Sequence, residues 1–180
     1  MHTFHDVRRL VIVSDTHGLI RTNIEPELTG ADLILHADDV GSAAVLAFLN
    51  RFAPAIAVRG NVDGAELGLP DAEVISINGE LVYLLHQLEH LDLNPRVAGL
   101  RMVISGHSHK ASMSLREGVW YCNPGSIGPR RFRLPITLVR FTLGASTWTG
   151  ALREISPLPD GRAEACACRT RERYVVNFGK

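Results

Sequence analysis

Residues 100–110 read Leu-Arg-Met-Val-Ile-Ser-Gly-His-Ser-His-Lys, "LRMVISGHSHK". The apolar run "LRMVI" is too short for a helix and reads as a buried strand. It runs into a polar loop that carries two imidazoles one residue apart, His107 and His109. On a strand, residues i and i+2 share a face, and in a loop leaving a strand both rings can converge on one point. That arrangement suits a metal, and it calls for further ligands at the ends of other strands.

Those ligands are present. Residues 9–14, "RLVIVS", read as a strand leading into "DTHG", with Asp15 and His17. Pro26 opens a short helix before Gly30. "ADLILHADD", residues 31–39, is a second strand ending in Asp38 and Asp39. Residues 42–52, "SAAVLAFLNRF", are helical in composition and begin with Ser42 as a candidate cap. "APAIAVRGN" is a third strand, ending in Gly60 and Asn61. Polar groups thus gather after the C-termini of strands, the edge at which α/β sheets bind ligands. Beyond residue 70 the pattern turns to hairpins. "AEVISINGELVYLLH", 72–86, holds two strands around Asn78-Gly79 and ends in His86. "KASMSLREGVWYCNPGS", 110–126, folds around Glu117-Gly118, and 135–143 and 146–155 are two more strands. An α/β half followed by a strand-rich half implies two sheets packed face to face with helices outside. Residues 1–156 form one domain. Residues 157–180 have weak periodicity and mixed charge and read as a tail, loosely attached or partly packed on that domain, with a terminal strand at "RYVVNF".

The totals agree with one domain: 180 residues, 46% hydrophobic. Lys+Arg and Asp+Glu are 19 each, so no overall field draws in nucleic acid or an anionic membrane. Three cysteines, Cys122, Cys166 and Cys168, make no disulfide framework. The Cys166-x-Cys168 pair lacks the other two ligands of a structural zinc site and reads as incidental thiols. No stretch approaches the ~18–20 apolar residues of a membrane span, and a cytoplasmic location is expected. Trp120 and Trp148 lie on strands and pack in the core or at an interface, which leaves homo-oligomerisation open.

The carboxylates, imidazoles and the Asn61 amide are ligands for borderline divalent ions, Mn²⁺, Fe²⁺, Zn²⁺, Ni²⁺ or Co²⁺ rather than Mg²⁺. With Asp39 as a bridge, the other six ligands divide into three for each of two ions. Two ions about 3.5–4 Å apart stabilise the attacking and leaving oxygens of phosphoryl transfer.

The motifs "DTH", "DD", "GN", "H" and "GHSH", in this order, resemble those of the calcineurin-like metallophosphoesterases. The resemblance spans residues 9 to about 156. It is nearest to the small cap-less bacterial and archaeal members that carry "GNxD". It implies an α/β (α+β) fold: a four-layer αββα sandwich of two mixed β-sheets flanked by helices. It implies that one ion takes Asp15, His17, Asp39 and His109, and the other Asp39, Asn61, His86 and His107, with Mn²⁺ the first choice. The implied activity is hydrolysis of a small phosphoester, a diester above all, by in-line attack of a hydroxide bridging the ions. Two alternatives stand. One is a phosphomonoesterase or nucleotide phosphatase with the same site. The other is a non-catalytic scaffold like a eukaryotic retromer subunit of similar fold, although that subunit departs from the family at the first-motif histidine and this chain has His17.

The chain also departs from the family pattern. Asp38 stands where Gly is usual; it reads as a solvated turn residue, or as a second carboxylate beside the site. His86-Gln87-Leu88 replaces His-Gly-His, and Val62 replaces the acid histidine of "GNH" in larger relatives. Loss of that acid favours diesters with good leaving groups. His36, Asp63 and His90 are the remaining candidates for a general acid. His36 reads equally as a core histidine and His90 as a surface one. In "NPGSIGPRR", 123–131, Asn123 and Ser126 are candidates to hydrogen-bond substrate and Arg130, or else Arg131, to clamp phosphate. The bland reading of that stretch is a Pro-Gly turn.

Overall fold

The computed structural model describes residues 1–145, 147–155 and 171–178. Among these, the strands are β1 (His2–Phe4), β2 (Arg9–Val13), β3 (Leu33–His36), β4 (Ala55–Ala57), β5 (Ala72–Ile77), β6 (Glu80–Leu85), β7 (Leu100–Ile104), β8 (Ser112–Arg116), β9 (Val119–Asn123), β10 (Ile136–Leu143), β11 (Trp148–Ile155) and β12 (Arg171–Phe178). They form two six-stranded mixed sheets, ordered β12-β11-β10-β2-β3-β4 and β1-β5-β6-β7-β9-β8. β2, β3 and β4 run parallel, as do β6, β7 and β9.

The near-continuous apolar runs of β2 and β3 follow from burial on both faces. Leu10, Ile12, Leu33 and Leu35 face inward and meet Ile75, Val82, Met102 and Ile104 of the second sheet. The alternate residues Val11, Val13 and Ile34 face outward, where Ile24, Leu28, Val45, Phe48 and Leu49 cover them. That cover is the 3-10 turn Thr22–Ile24 running into α1 (Glu25–Leu28), opened by Pro26, and α2 (Ala43–Leu49). Ser42 occupies the N-cap position of α2, but its side chain makes no capping bond, which corrects the expectation. The helix is closed at its other end by Asn50, whose amide donates to the Leu46 carbonyl and accepts from the Ala55 N–H.

The expected four layers are present but unequal. On the outer face of the second sheet, Leu85, Val103 and Val119 are covered by Leu88, Leu91 and Leu93. These belong to a single 3-10 turn, Leu88–His90, and the loop after it. β1, which nothing in the sequence marked, pairs parallel with β5. Arg171–Phe178 pairs antiparallel with β11 as an edge strand. Cys166 and Cys168, read as incidental thiols, lie outside the described residues.

Candidate metal centre

The parallel strands of both sheets end at one edge. The backbone ladders run on past the strands: Asp15 N donates to Asp38 O at 2.9 Å, His17 N to Asp39 O at 2.8 Å, and Gly106 N to His86 O at 3.0 Å. The motif loops are therefore clamped to one another before any side chain acts. Asp15, His17, Asp39, His107 and His109 all adopt positive φ, between 42° and 66°. Asp and His tolerate that region better than most side chains. Two close approaches demand glycine. A Cβ on Gly60 would lie 2.1 Å from Asp39 Oδ1, and one on Gly106 would lie 2.1 Å from Ser14 Oγ.

The side chains gather into two lobes. In the first, Asp15, His17 and His109 bring ligand atoms within 4.8 Å of one another; in the second, Asp38, His86 and His107 do the same. Asp15, Asp38 and Asp39 join the lobes. His17 Nε2 lies 3.2 Å from His109 Nε2 and 3.7 Å from Asp39 Oδ2. His86 Nδ1 meets Asp38 Oδ1. Asn61 is exposed and lines a cavity beside His86.

This cluster fits divalent cations on two observations. First, Asp15 Oδ1 and Asp38 Oδ2 are buried without a hydrogen bond. Asp15 Oδ1 is 3.0 Å from His109 Nε2, but the pair is not aligned as a hydrogen bond. Orphaned buried acceptors of this kind call for an unseen partner. Second, the electrostatics are those of a ligand set without its ion. Burial, with the neighbouring Asp39 charge, pushes Asp15 up to about 7. Burial, then the charges of Asp15 and Asp39, push Asp38 up to about 9. Burial pushes His109 down to about 4 and lowers His17 and His86. Neutral imidazoles beside crowded carboxylates hold lone pairs that a cation would take up.

Asp38 is the clearest correction. It has no exposed surface and is not a solvated turn residue: it supplies the carboxylate of the His86/His107 lobe. The general-acid candidates divide. His36 is fully buried and held near 4 by burial. Its Nε2 bonds Thr16 Oγ1 at 2.9 Å, and its Nδ1 accepts from Asp38 N at 3.4 Å. It ties the first two motif loops together and reaches no open surface. Asp63 accepts from the backbone N–H groups of Val40, Gly41 and Gly60 at 2.6–3.0 Å. Its oxygens are committed to holding the loops after β3 and β4. Asp63 and His90 both line the open cavity, but of these only His90 is not committed to backbone N–H groups; its ring is 6.5 Å from that of His86.

The "NPGS" stretch is also reassigned. Asn123 Nδ2 donates to Gly106 O at 2.7 Å and to Ser108 Oγ at 3.1 Å, and its Oδ1 accepts from Gly125 N. Ser126 Oγ donates to Asp15 O at 3.0 Å. Both are buried and brace the ligand loops rather than face substrate. Arg130 Nε donates to Leu134 O, away from the cluster. Arg131 reaches in, with Nη2 3.1 Å from His17 Nε2. Adjacent arginines in a loop give no sequence signal as to which one turns inward.

Comparison with known proteins agrees with this geometry. Residues 9–146 match the model of the calcineurin-like phosphoesterase superfamily domain. A probable metallophosphoesterase of Methanocaldococcus jannaschii is 33% identical over 64% of this chain and 66% of its own length. The chain thus matches just under two thirds of that relative. A probable metallophosphoesterase of Methanothermobacter thermautotrophicus is 32% identical over 71% of this chain and 82% of its own. Among solved structures, Vacuolar Protein Sorting 29 from Cryptosporidium parvum superposes with a TM-score of 0.77 at 17% identity, covering 97% of this chain and 99% of that one. At that identity the likeness speaks for the fold.

Proposed function

This chain belongs to the calcineurin-like phosphoesterase superfamily, and from that premise we propose that it is a phosphodiesterase working with two divalent ions, Mn²⁺ foremost. The observation that carries the reading is the cluster of three buried carboxylates and four imidazoles, the latter graded from buried His109 to exposed His107, with its two orphaned carboxylate oxygens. Asp15, His17 and His109 would hold one ion, and Asp38, His86 and His107, with Asn61 beside them, the other, while Asp39 lies with Asp15 and Asp38 where the two lobes join. Such ions, when bound, polarise phosphoryl oxygens and make water nucleophilic at neutral pH.

The chain's own residues do the rest. Asp39 is fixed by the Val62 N–H at 3.1 Å, which sets the spacing of the lobes. Arg131, at the mouth beside His17, binds a nonbridging oxygen of the phosphate. In the reaction the water oxygen forms the new P–O bond and the ester P–O bond breaks. One proton goes to the departing alkoxide and the other to solvent. Val62 stands in the place of the family's acid histidine, so substrates with good leaving groups are favoured.

The test is to strip the protein with chelator, restore Mn²⁺, Ni²⁺, Zn²⁺ or Mg²⁺ singly, and assay bis(para-nitrophenyl) phosphate beside para-nitrophenyl phosphate. Mn²⁺-dependent diester cleavage with little monoester turnover supports the proposal. Preference for the monoester favours the phosphomonoesterase, and no hydrolysis with any ion favours the scaffold reading.

A further inference from the structure

The two sides of the cluster differ in chemistry. On the His86 side lies a cavity of about 540 Å³, lined by Asn61, Asp71, Tyr83, His90 and Asp92 among others. Its arginine, Arg59, is bonded through Nε and Nη2 to Asp71 Oδ1. The balance of that wall is acidic, and it repels a second anion.

The His17 side is the reverse. The loop after "NPGS" carries Arg130, Arg131, Phe132 and Arg133 in succession, all exposed. Phe132 is 93% exposed and holds a φ of +52°, a conformation that is an outlier for a bulky side chain. An aromatic ring presented to solvent on a left-handed backbone contributes nothing to the core. The same loop is tied to the centre through Arg131, 3.1 Å from His17 Nε2. Arginine and an exposed ring, side by side, are the elements that grip a nucleotide by its phosphates and its base.

We propose that this loop is a subsite for one arm of the diester, a nucleotide arm carrying a second phosphate. The base stacks on Phe132 and the second phosphate meets Arg130 and Arg133, while Arg131 keeps the scissile group. The uncharged arm lies in the acidic cavity. This rests on the phosphodiesterase reading for the position of the scissile phosphate. An anionic membrane surface is the competing partner for a basic loop with one aromatic residue. The inward turn of Arg131 toward the centre favours the nucleotide.

The test is equilibrium binding of adenosine 5′-monophosphate and adenosine 3′,5′-bisphosphate to the full-length, Mn²⁺-loaded protein, with ribose 5-phosphate as the ligand that lacks a base. The bisphosphate is expected to bind at least about tenfold more tightly than the monophosphate, as one added charged contact gives. The double variant Arg130→Ala/Arg133→Ala brings the two affinities together. Phe132→Ala brings adenosine monophosphate down to the level of ribose 5-phosphate. A 5′-phosphorylated oligonucleotide that binds more tightly still identifies a strand, rather than a free nucleotide, as the source of the arm. Equal affinities for mono- and bisphosphate in the wild type overturn the proposal. So does binding to anionic phospholipid vesicles that Phe132→Ala abolishes, without discrimination between the nucleotides. Turnover of bis(para-nitrophenyl) phosphate is read in parallel: if it persists while the nucleotides are not distinguished, the subsite fails and the phosphodiesterase stands.

Discussion

Loading the metal-free protein with Mn²⁺ should expel protons in a number fixed by two aspartates. Burial pushes Asp15 up to about 7 and Asp38 up to about 9, so both retain protons near neutrality that a cation must displace. At pH 7 Asp15 is about half protonated and Asp38 nearly fully so, which gives about 1.5 protons released per chain. The figure rises to about 1.9 at pH 6 and falls to about 1 at pH 8, where Asp38 alone contributes. These figures count the two aspartates; burial lowers His17, His86 and His109, so each imidazole holds less of a proton than a free one would. The two carboxyls feel each other's charge, so the total belongs to the pair. The measurement is calorimetric titration of Mn²⁺ in buffers of different ionisation enthalpy, whose slope counts protons. Asp38→Asn should remove about one proton at pH 8, where a two-carboxylate site built on Asp15 and Asp39 alone would show no change. A release that is absent, or that grows with pH, would refute the account of the cluster as crowded, protonated carboxylates awaiting a cation.

Other outcomes follow from the same geometry. His36, depressed to about 4 by burial, contributes stability that is fully present above pH 6.5 and lost as pH falls toward 4. In urea unfolding of the wild type and His36→Asn, the wild type should lose about 3 kcal/mol relative to the variant across that window. Asp63→Ala strands three backbone N–H groups and should cost about 3 kcal/mol of unfolding free energy; a loss under about 1 kcal/mol would show that water replaces the carboxylate. Gly106→Ala sets a Cβ 2.4 Å from Asp38 Cβ, so elemental analysis should find one Mn²⁺ per folded chain instead of two. Two retained ions would mean that the loop shifts freely.

What the sequence disclosed and what it hid have physical causes. β2 and β3 were legible because strands buried on both faces leave unbroken apolar runs. The ligand loops were legible because imidazole and carboxylate at the ends of such runs have few structural uses. Asp38 was not, since a carboxylate in a turn has the same spelling whether it faces water or, as here, His86. Asn123 and Ser126 failed for a related reason: polar residues next to a Pro-Gly turn can serve a substrate or the backbone, and only the fold shows that Gly106 O and Asp15 O claim them. Leu88, Leu91 and Leu93 gave no helical signal because they cover the second sheet from a turn and a loop. β1 is three residues long, two of them exposed, and carries no pattern to read.

The left-handed backbone of Asp15, His17, Asp39, His107 and His109 also bears on how such a centre would decay. A lineage that gave up its ions would escape the chemical demand for these side chains but not the geometric one. Most replacements would sit at a cost of about 1–3 kcal/mol each in that conformation, while Gly and Asn would not. Drift away from catalysis would therefore leave glycine and asparagine where aspartate and histidine had been, so that the ghost of a metal site stays readable in residues that bind nothing.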